Sequence, residues 1–260
     1  VLFNEKNIGW AASFNRLIRE SRAPLIHCFS HDDLMHRECL KDVVALHREN
    51  SRLAFSYCAV DYIDGAGHAL PPAAEDHTPA RIPPWLHAEI SVVWGCIAGS
   101  VSTIVLVREA LLRHGVFDEQ LRVANDWELL TRLSGDCDAG FLNRRRVTLR
   151  NHVGQMQQQT ATLRHHAHED LPILYRLLPR VRPAFRPTAL RALRWKMHVR
   201  QFHSAVALIL RRRFDLSAQV LRALKPYDSL PRLALRWVVV KCLRRARADN
   251  FFYRKILRIH

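Results

Sequence analysis

The sequence lacks the short motifs that define several common enzyme classes. It contains no GxSxG, HExxH, P-loop or glycine-rich dinucleotide-binding pattern, so nothing in it indicates the hydrolases, metalloproteases, NTPases or dehydrogenases that use them. CxxC pairs are also absent, because the six cysteines are scattered singly along the chain. Scattered thiols without metal-finger spacing are typical of a reducing compartment, and we therefore expect a cytoplasmic protein.

Long hydrophobic runs are scarce as well. The range 90–107 carries no charged residue, and a transmembrane span is one interpretation of such a stretch. Its glycines, serines and threonine make it a poor membrane helix. We expect instead a buried loop followed by a strand at Ser102–Val107.

Acidic residues are depleted in the second part of the chain. Of the 40 Lys and Arg residues 27 lie in the range 141–260, which holds only 5 of the 24 acidic residues. The formal net charge of +16 is therefore concentrated there. This asymmetry indicates two segments with different roles, the second of which suits an anionic surface.

Helical and extended patterns alternate in the first part of the chain. We predict a short strand at Val1–Phe3, a helix at Gly9–Arg22, a strand at Leu25–Phe29, a helix at Arg37–Glu49 and a strand at Leu53–Ile63. Such alternation predicts an α/β fold with a mostly parallel sheet and flanking helices. From Thr160 onward the pattern is helical and basic.

Polar residues follow the predicted strand at Leu25–Phe29 directly. The segment reads Ser30-His31-Asp32-Asp33. Adjacent carboxylates repel one another unless a cation or hydrogen bonds compensate, and open α/β sheets bind ligands at this edge. Hard oxygen donors there suit Mg²⁺ or Mn²⁺ carrying phosphate. The alternative is an ordinary helix start, in which an aspartate is the N-cap.

Five short pieces follow one another along the first part of the chain. They are Asn7-Ile8-Gly9 with Asn15, then the Ser30–Asp33 segment, Gly115-Val116-Phe117-Asp118-Glu119, Asn125-Asp126-Trp127-Glu128-Leu129, and Arg150-Asn151-His152. In this order they resemble the family 2 glycosyltransferases, which are inverting enzymes with a GT-A fold. The resemblance covers Asn7 to Gln155 and does not extend over the basic C-terminal region.

The resemblance implies a role for each of these groups. Asp32 and Asp33 would bind the metal, and Asp33 would support it or contact the sugar. Ser30 stands where the family most often has Asp, so its ribose contact would be a hydroxyl hydrogen bond rather than a carboxylate one. Asp126 would be the catalytic base at a helix start, where the helix dipole keeps a carboxylate ionised. Capping of that helix is the alternative.

Three further residues are implied to bind the donor. Arg150 and His152 match the R-x-H piece near the diphosphate, although a charge pair at a strand end would have the same pattern. Asn15 lies on the helix that packs beside the nucleotide site in the family. Its alternative is a partly buried side chain bonded to the backbone.

These observations predict a partial GT-A-like domain at residues 1–158, with its first strands missing, and a basic helical extension at 159–260. The implied function is metal-assisted transfer of a sugar, with inversion, from a nucleotide-diphosphate sugar to a glycan or lipid-linked acceptor, as in cell-surface polysaccharide synthesis. The alternative is a non-catalytic remnant or a basic module that binds membrane or other anionic surfaces. We expect peripheral contact with the inner face of the cell membrane and no nucleic-acid partner.

Overall fold

The computed structural model describes residues 2–72, 76–152 and 162–245. Internal contacts divide the chain into two compact units. The first, here called the sheet unit, comprises Val1–His87, Cys96–Leu121 and Asn125–Gln155. The second, here called the helical unit, comprises Ala88–Gly95, Arg122–Ala124 and Met156–His260. The predicted boundary at 158/159 lies outside the described residues and stays a prediction.

Six strands form one sheet in the sheet unit. They are β1 (Leu25–His27), β2 (Leu34–Met35), β3 (Leu53–Asp64), β4 (Arg81–Ile82), β5 (Val105–Val107) and β6 (Asp138–Asn151). Their order is β1-β5-β3-β6-β2, and β4 also pairs with β6.

Three of these strands run in the same direction. The long pair β3–β6 is parallel, with Tyr57 opposite Phe141, and β5 is antiparallel to both β1 and β3. The α/β class is thus confirmed, but the sheet is mixed: the prediction of a mostly parallel sheet holds only for β1, β3 and β6. Short antiparallel strands lie between or beside them, because two or three paired residues are too few to give a strand pattern in the sequence.

Five helices precede or connect the strands. They are α1 (Trp10–Glu20), α2 (Cys39–Glu49), α3 (Pro84–Trp94), α4 (Arg108–His114) and α5 (Asn125–Leu133).

Two local predictions fail in this region. Leu2 and Phe3 are exposed and belong to no strand, and Val1 lies outside the described residues. The uncharged range 90–107 is not one loop, since it begins with the end of α3 and continues through a 3₁₀ turn at Val101–Thr103 into β5. Among the helices that the structure describes, none has the length and hydropathy to cross a membrane.

A small apolar cluster packs α2 against the sheet. Cys39 and Val43 of α2 contact Cys58 of β3, Val105 of β5 and Val147 of β6, and all five side chains are buried. Because the cluster joins three strands and a helix, it fixes the sheet edge from which the polar loops begin.

The helical unit confirms the predicted helical C-terminal region. Its helices are α6 (Thr162–Leu177), α7 (Arg186–Ala192), α8 (His198–Leu210), α9 (Phe214–Leu224) and α10 (Leu230–Arg245), and a π-helical segment at Leu193–Met197 joins α7 to α8. Helices α8 and α9 form a hairpin whose turn is closed by the hydrogen bond from the Arg213 N–H to the Leu208 carbonyl. Arg212 lies in the left-handed region of the turn, with φ 56°.

Gly140 of β6 gives a test of the packing between α2 and the sheet. A Cβ at this position would lie 2.8 Å from Leu53 Cδ1 and 3.2 Å from both Leu46 Cδ2 and Ser56 Cβ. We expect Gly140→Ala to lower the free energy of unfolding by about 1–3 kcal/mol, as overpacking of a core does, when measured by urea denaturation.

Gly65→Ala is the matched control. The added Cβ would meet only His152 Cβ, at an ordinary 3.4 Å, so a change within about 0.5 kcal/mol is expected. Equal stability of the two variants would contradict the close packing around Gly140.

Candidate functional site

The polar residues of the sheet unit meet at one edge of the sheet. Because β1, β3 and β6 run in the same direction, their carboxyl ends lie at the same edge. The Ser30–Asp33 loop follows β1, Asp64 ends β3, and Arg150 to His152 lie at the end of β6. Loops at the carboxyl ends of such strands are the usual ligand site of an α/β sheet.

Asp33 holds this edge together. Its Oδ2 accepts a hydrogen bond from the Ser102 hydroxyl at 2.5 Å, and its Oδ1 accepts one from the Arg150 backbone N–H at 3.0 Å. The Ser102 hydroxyl in turn accepts the Ser30 N–H at 3.0 Å. Asp33 therefore joins the loop after β1 to the end of β6 and to the 3₁₀ turn before β5.

Asp32 pairs with the predicted histidine. The imidazole Nε2 of His152 lies 3.2 Å from Asp32 Oδ2, and the two side chains are 37% and 28% exposed. Partial removal from water raises the pKa of Asp32, but the hydrogen bond from His152 and the charges of His31 and His152 together lower it more, so the pKa lies below its ordinary value. Asp32 is therefore ionised at neutral pH.

The Arg150 side chain reaches back over the loop. Its Nε donates to the Asp32 carbonyl at 3.0 Å, and one terminal nitrogen donates to the Asp64 carbonyl at 3.4 Å. These bonds place a guanidinium beside the Asp32–His152 pair. A cation in this position lowers the electrostatic cost of the two adjacent carboxylates.

The donors at this edge fit the divalent metal that the resemblance implies. Asp32 and His152 offer one carboxylate and one imidazole, and Mg²⁺ or Mn²⁺ is commonly held by one or two carboxylates plus the phosphates of a substrate. Asp33 differs, because both of its oxygens already accept hydrogen bonds. Its predicted role as a direct metal ligand stays a prediction.

Two residues of this edge were not assigned a role from sequence. Ser102 is the first residue of the predicted strand and lies in the 3₁₀ turn before β5, and its bond to Asp33 crosses 69 positions of sequence. His27 of β1 donates to the Ser102 carbonyl at 2.9 Å. Burial lowers the pKa of His27 more than this bond raises it, so the ring is neutral and supports Ser102. Neither contact has a local sequence signal.

Asn15 and Asn125 form a second group, around the loop between α4 and α5. Asn15 is 1% exposed, and its amide bonds the Phe117 carbonyl and N–H at 2.8 and 3.0 Å and Glu119 Oε1 at 2.9 Å. Asn125 donates to the carbonyls of Asp118 and Leu121. The geometry supports the structural alternative for Asn15, which positions this loop, and its direct contact with the donor stays a prediction.

Asp126 lies in the first turn of α5 and is half-buried. Its Oδ1 accepts a hydrogen bond from the Trp127 N–H at 2.7 Å. The positive end of the helix dipole favours the ionised carboxylate there. Its role as a base stays a prediction, and helix capping remains the alternative. The structure therefore brings together Ser30, Asp32, Asp33, Arg150 and His152, and places Asn15 and Asp126 on either side of the loop between α4 and α5.

Comparisons with known proteins find a distant structural likeness. Residues 1–349 of TarS from S. aureus, in complex with UDP-GlcNAc, align with a TM-score of 0.47 and 14% identity over 85% of this chain and 73% of that one. The mannosyltransferase PcManGT from Pyrobaculum calidifontis, in complex with GDP-Man and Mn²⁺, aligns with a TM-score of 0.45 and 16% identity over 92% of this chain and 61% of that one.

These two structures are what the chain is similar to in backbone arrangement. No family model matches the sequence, and no curated protein matches it either. A likeness at this level assigns neither an activity nor a ligand to the chain.

Ser102→Ala tests the bonds that hold the edge. Ser102 is 0% exposed, and the substitution removes the donor to Asp33 and the acceptor of the Ser30 N–H. We expect a loss of about 1–3 kcal/mol of unfolding free energy, as for buried groups left unpaired, when measured by urea denaturation.

Ser91→Ala is the control with the same change of side chain. Ser91 is also 0% exposed, but its hydroxyl makes no hydrogen bond among the described residues. Removing a buried hydroxyl without a partner is nearly neutral or stabilising. Equal losses in the two variants would mean that burial alone, and not the bond to Asp33, explains the effect of Ser102→Ala.

Proposed function

We propose that the chain transfers a sugar from a nucleotide-diphosphate donor to the hydroxyl of a glycan or lipid-linked acceptor, with inversion at the anomeric carbon. The observation that carries this proposal is the Asp32–His152 pair, 3.2 Å apart at the common carboxyl edge of β1 and β6. An ionised carboxylate, an imidazole and the Arg150 guanidinium converge there. A guanidinium suits phosphate oxygens, and a carboxylate holds a divalent cation together with substrate phosphates, so this combination suits a phosphorylated substrate.

The residues around Asp32 would bind the donor diphosphate, and Asp126 would act on the acceptor hydroxyl. A bound Mg²⁺ or Mn²⁺ would neutralise the charge that develops on the leaving diphosphate. Asp32 and His152 would hold that ion, while Asp33 fixes the loop that carries Asp32. Arg150 would stabilise the diphosphate oxygens, since its planar guanidinium suits phosphate.

Asp126 is proposed as the base. The acceptor oxygen forms a bond to the anomeric carbon, the bond from that carbon to the diphosphate oxygen breaks, and the proton of the acceptor hydroxyl passes to the Asp126 carboxylate. Attack from the face opposite the leaving group inverts the configuration. The first turn of α5 keeps Asp126 ionised, as a base requires.

The first test is Mn²⁺-dependent binding of nucleotide-sugars, including UDP-GlcNAc and GDP-mannose, measured by calorimetry. We expect the natural chain to bind a donor only with the metal, and Asp32→Asn to lose that binding at least tenfold, because a neutral amide is a poor ligand for a hard cation. Asp126→Asn should bind the donor normally but release nucleoside diphosphate about 10²–10⁴ times more slowly in the presence of an acceptor.

Glu109→Gln is the control for loss of a carboxylate. Glu109 lies on α4 with a side chain 80% exposed, so donor binding should not change. Metal-dependent binding that survives in Asp32→Asn would contradict the assigned site. No binding by the natural chain would contradict the transferase proposal and favour a non-catalytic remnant of the fold.

We also propose that the helical unit binds an anionic membrane surface. The turn between α8 and α9 presents Leu210, 80% exposed, and Phe214, 63% exposed, on either side of Arg211, Arg212 and Arg213. Arginines attract anionic headgroups, and apolar side chains beside them can enter the interface. This turn is here called the arginine turn (Leu210–Phe214). It favours a membrane over nucleic acid because the exposed aliphatic side chain of Leu210 can enter the interface but cannot stack on a base, for which only Phe214 has a ring.

Vesicle co-sedimentation tests the arginine turn. We expect binding to vesicles rich in phosphatidylglycerol and little binding to phosphatidylcholine alone. The double variant Leu210→Ser, Phe214→Ser should reduce the bound fraction at least tenfold, because each apolar side chain contributes about 1.5–3 kcal/mol when buried.

Leu112→Ser is the matched control, because Leu112 lies on α4 and is 74% exposed. Its vesicle binding should equal that of the natural chain. Equal losses in the control and the double variant, or equal binding to both vesicle types, would contradict the proposal. Binding to an oligonucleotide with the affinity seen for anionic vesicles would assign the turn to anions in general.

A further inference from the structure

A group of zinc-type ligands lies away from the polar residues at the carboxyl ends of β1, β3 and β6. Those polar residues, which include Asp32, Asp33, Arg150 and His152, are here called the Asp32 edge. His114 at the end of α4 and Asp136 and Cys137 in the turn before β6 place one nitrogen, one oxygen and one sulfur within 4.8 Å of one another. The three residues belong to the sheet unit. Neither the resemblance nor the proposed transfer uses any of them.

Two distances within this group are close to those around a tetrahedral ion. His114 Nε2 lies 3.1 Å from Asp136 Oδ1, and the Cys137 thiol donates a hydrogen bond to the same oxygen at 3.4 Å. Zinc ligands at about 2.0–2.3 Å in tetrahedral geometry are separated by roughly 3.3–3.6 Å. His114 Nε2 and Cys137 Sγ lie within 4.8 Å of each other, so side-chain movement would bring all three atoms to one ion.

The His114 ring adds an independent observation. Its Nε2 is shielded from solvent and makes no aligned hydrogen bond among the described residues, although Asp136 Oδ1 is near. A buried ring nitrogen without such a bond is uncommon in a folded protein. A metal ion between the two atoms would satisfy it, whereas a simple ion pair leaves the ring nitrogen poorly oriented.

We propose that His114, Asp136 and Cys137 form a Zn²⁺ site, with water as the fourth ligand. The thiolate favours zinc over Mg²⁺, whereas Asp32 and His152 include no sulfur donor. Binding forms a sulfur–zinc bond, and the thiol proton passes to solvent. The ion would join the end of α4 to the start of β6.

Such a link would restrain the loop that starts at Gly115. The carbonyls of His114 and Val116 already accept hydrogen bonds from the Arg132 guanidinium of α5. A metal on the His114 ring would fix the same residue from its side chain. The site would therefore order the start of the loop between α4 and α5, whose later residues bond to Asn15 and Asn125. This effect does not depend on whether the chain transfers sugar.

Cobalt substitution tests the site on the full chain. One equivalent of Co²⁺ should give the visible bands of tetrahedral cobalt and a near-ultraviolet thiolate-to-metal charge-transfer band, both lost when Zn²⁺ is added. Cys137→Ser should abolish the charge-transfer band. His114→Gln should weaken Zn²⁺ binding in calorimetry by at least about tenfold, a loss typical even of residues that only orient a ligand.

Two controls separate this site from other metal sites. Cys96→Ser changes another partly exposed cysteine and should keep both sets of bands. Asp32→Asn should also keep them, because the charge-transfer band requires a thiolate. Charge-transfer absorption that survives in Cys137→Ser, or tetrahedral bands that never form in the natural chain, would overturn the proposal. Those results would not contradict the metal site proposed at Asp32, because they concern only the ligands His114, Asp136 and Cys137.

Discussion

The carboxylate of Asp33 is the interaction on which the sheet edge depends. Three segments that are distant in sequence end at this carboxylate or at its partner Ser102: the loop after β1, the 3₁₀ turn before β5 and the end of β6. Without these bonds the partly buried backbone N–H groups of Ser30 and Arg150 would lose their partners at the ends of their strands. The Asp33 side chain therefore positions the backbone of the sheet edge. It would influence a ligand only through that positioning.

This role explains how two adjacent aspartates can be held together. Asp33 receives a hydroxyl and a backbone N–H, and Asp32 receives an imidazole, while Arg150 donates to the carbonyl of the same loop. Each carboxylate thus has its own hydrogen-bond donors. The lowered pKa of Asp32 follows from this arrangement. The charges and hydrogen bonds of the loop are therefore set by the protein's own groups.

The sequence predicted the parts of this molecule that have a local pattern. Helices α1 and α2 and strands β1 and β3 follow from apolar periodicity, and the Ser30–Asp33 segment follows from its position after a strand. Arg150 and His152 were implied by the family resemblance alone. The sequence could not predict that β5 enters the sheet in the opposite direction, since three paired residues have no distinctive period. Nor could it predict Ser102 as the partner of Asp33, or His114 beside Cys137, because contacts across a fold leave no spacing in one sequence.

The same limit affects how residue types are interpreted. Asn15 has the position of a ligand-binding residue in the resemblance, yet its amide makes three hydrogen bonds, to the Phe117 backbone and the Glu119 side chain. A buried amide with four hydrogen-bonding sites must satisfy them inside the protein, so a residue can be essential to a site without touching the ligand. The loop that Asn15 holds leads to Asp126. Asn is therefore required at position 15 because it fixes the backbone of the loop that precedes Asp126, the proposed base. Contact between Asn15 and a ligand is not needed to explain this requirement.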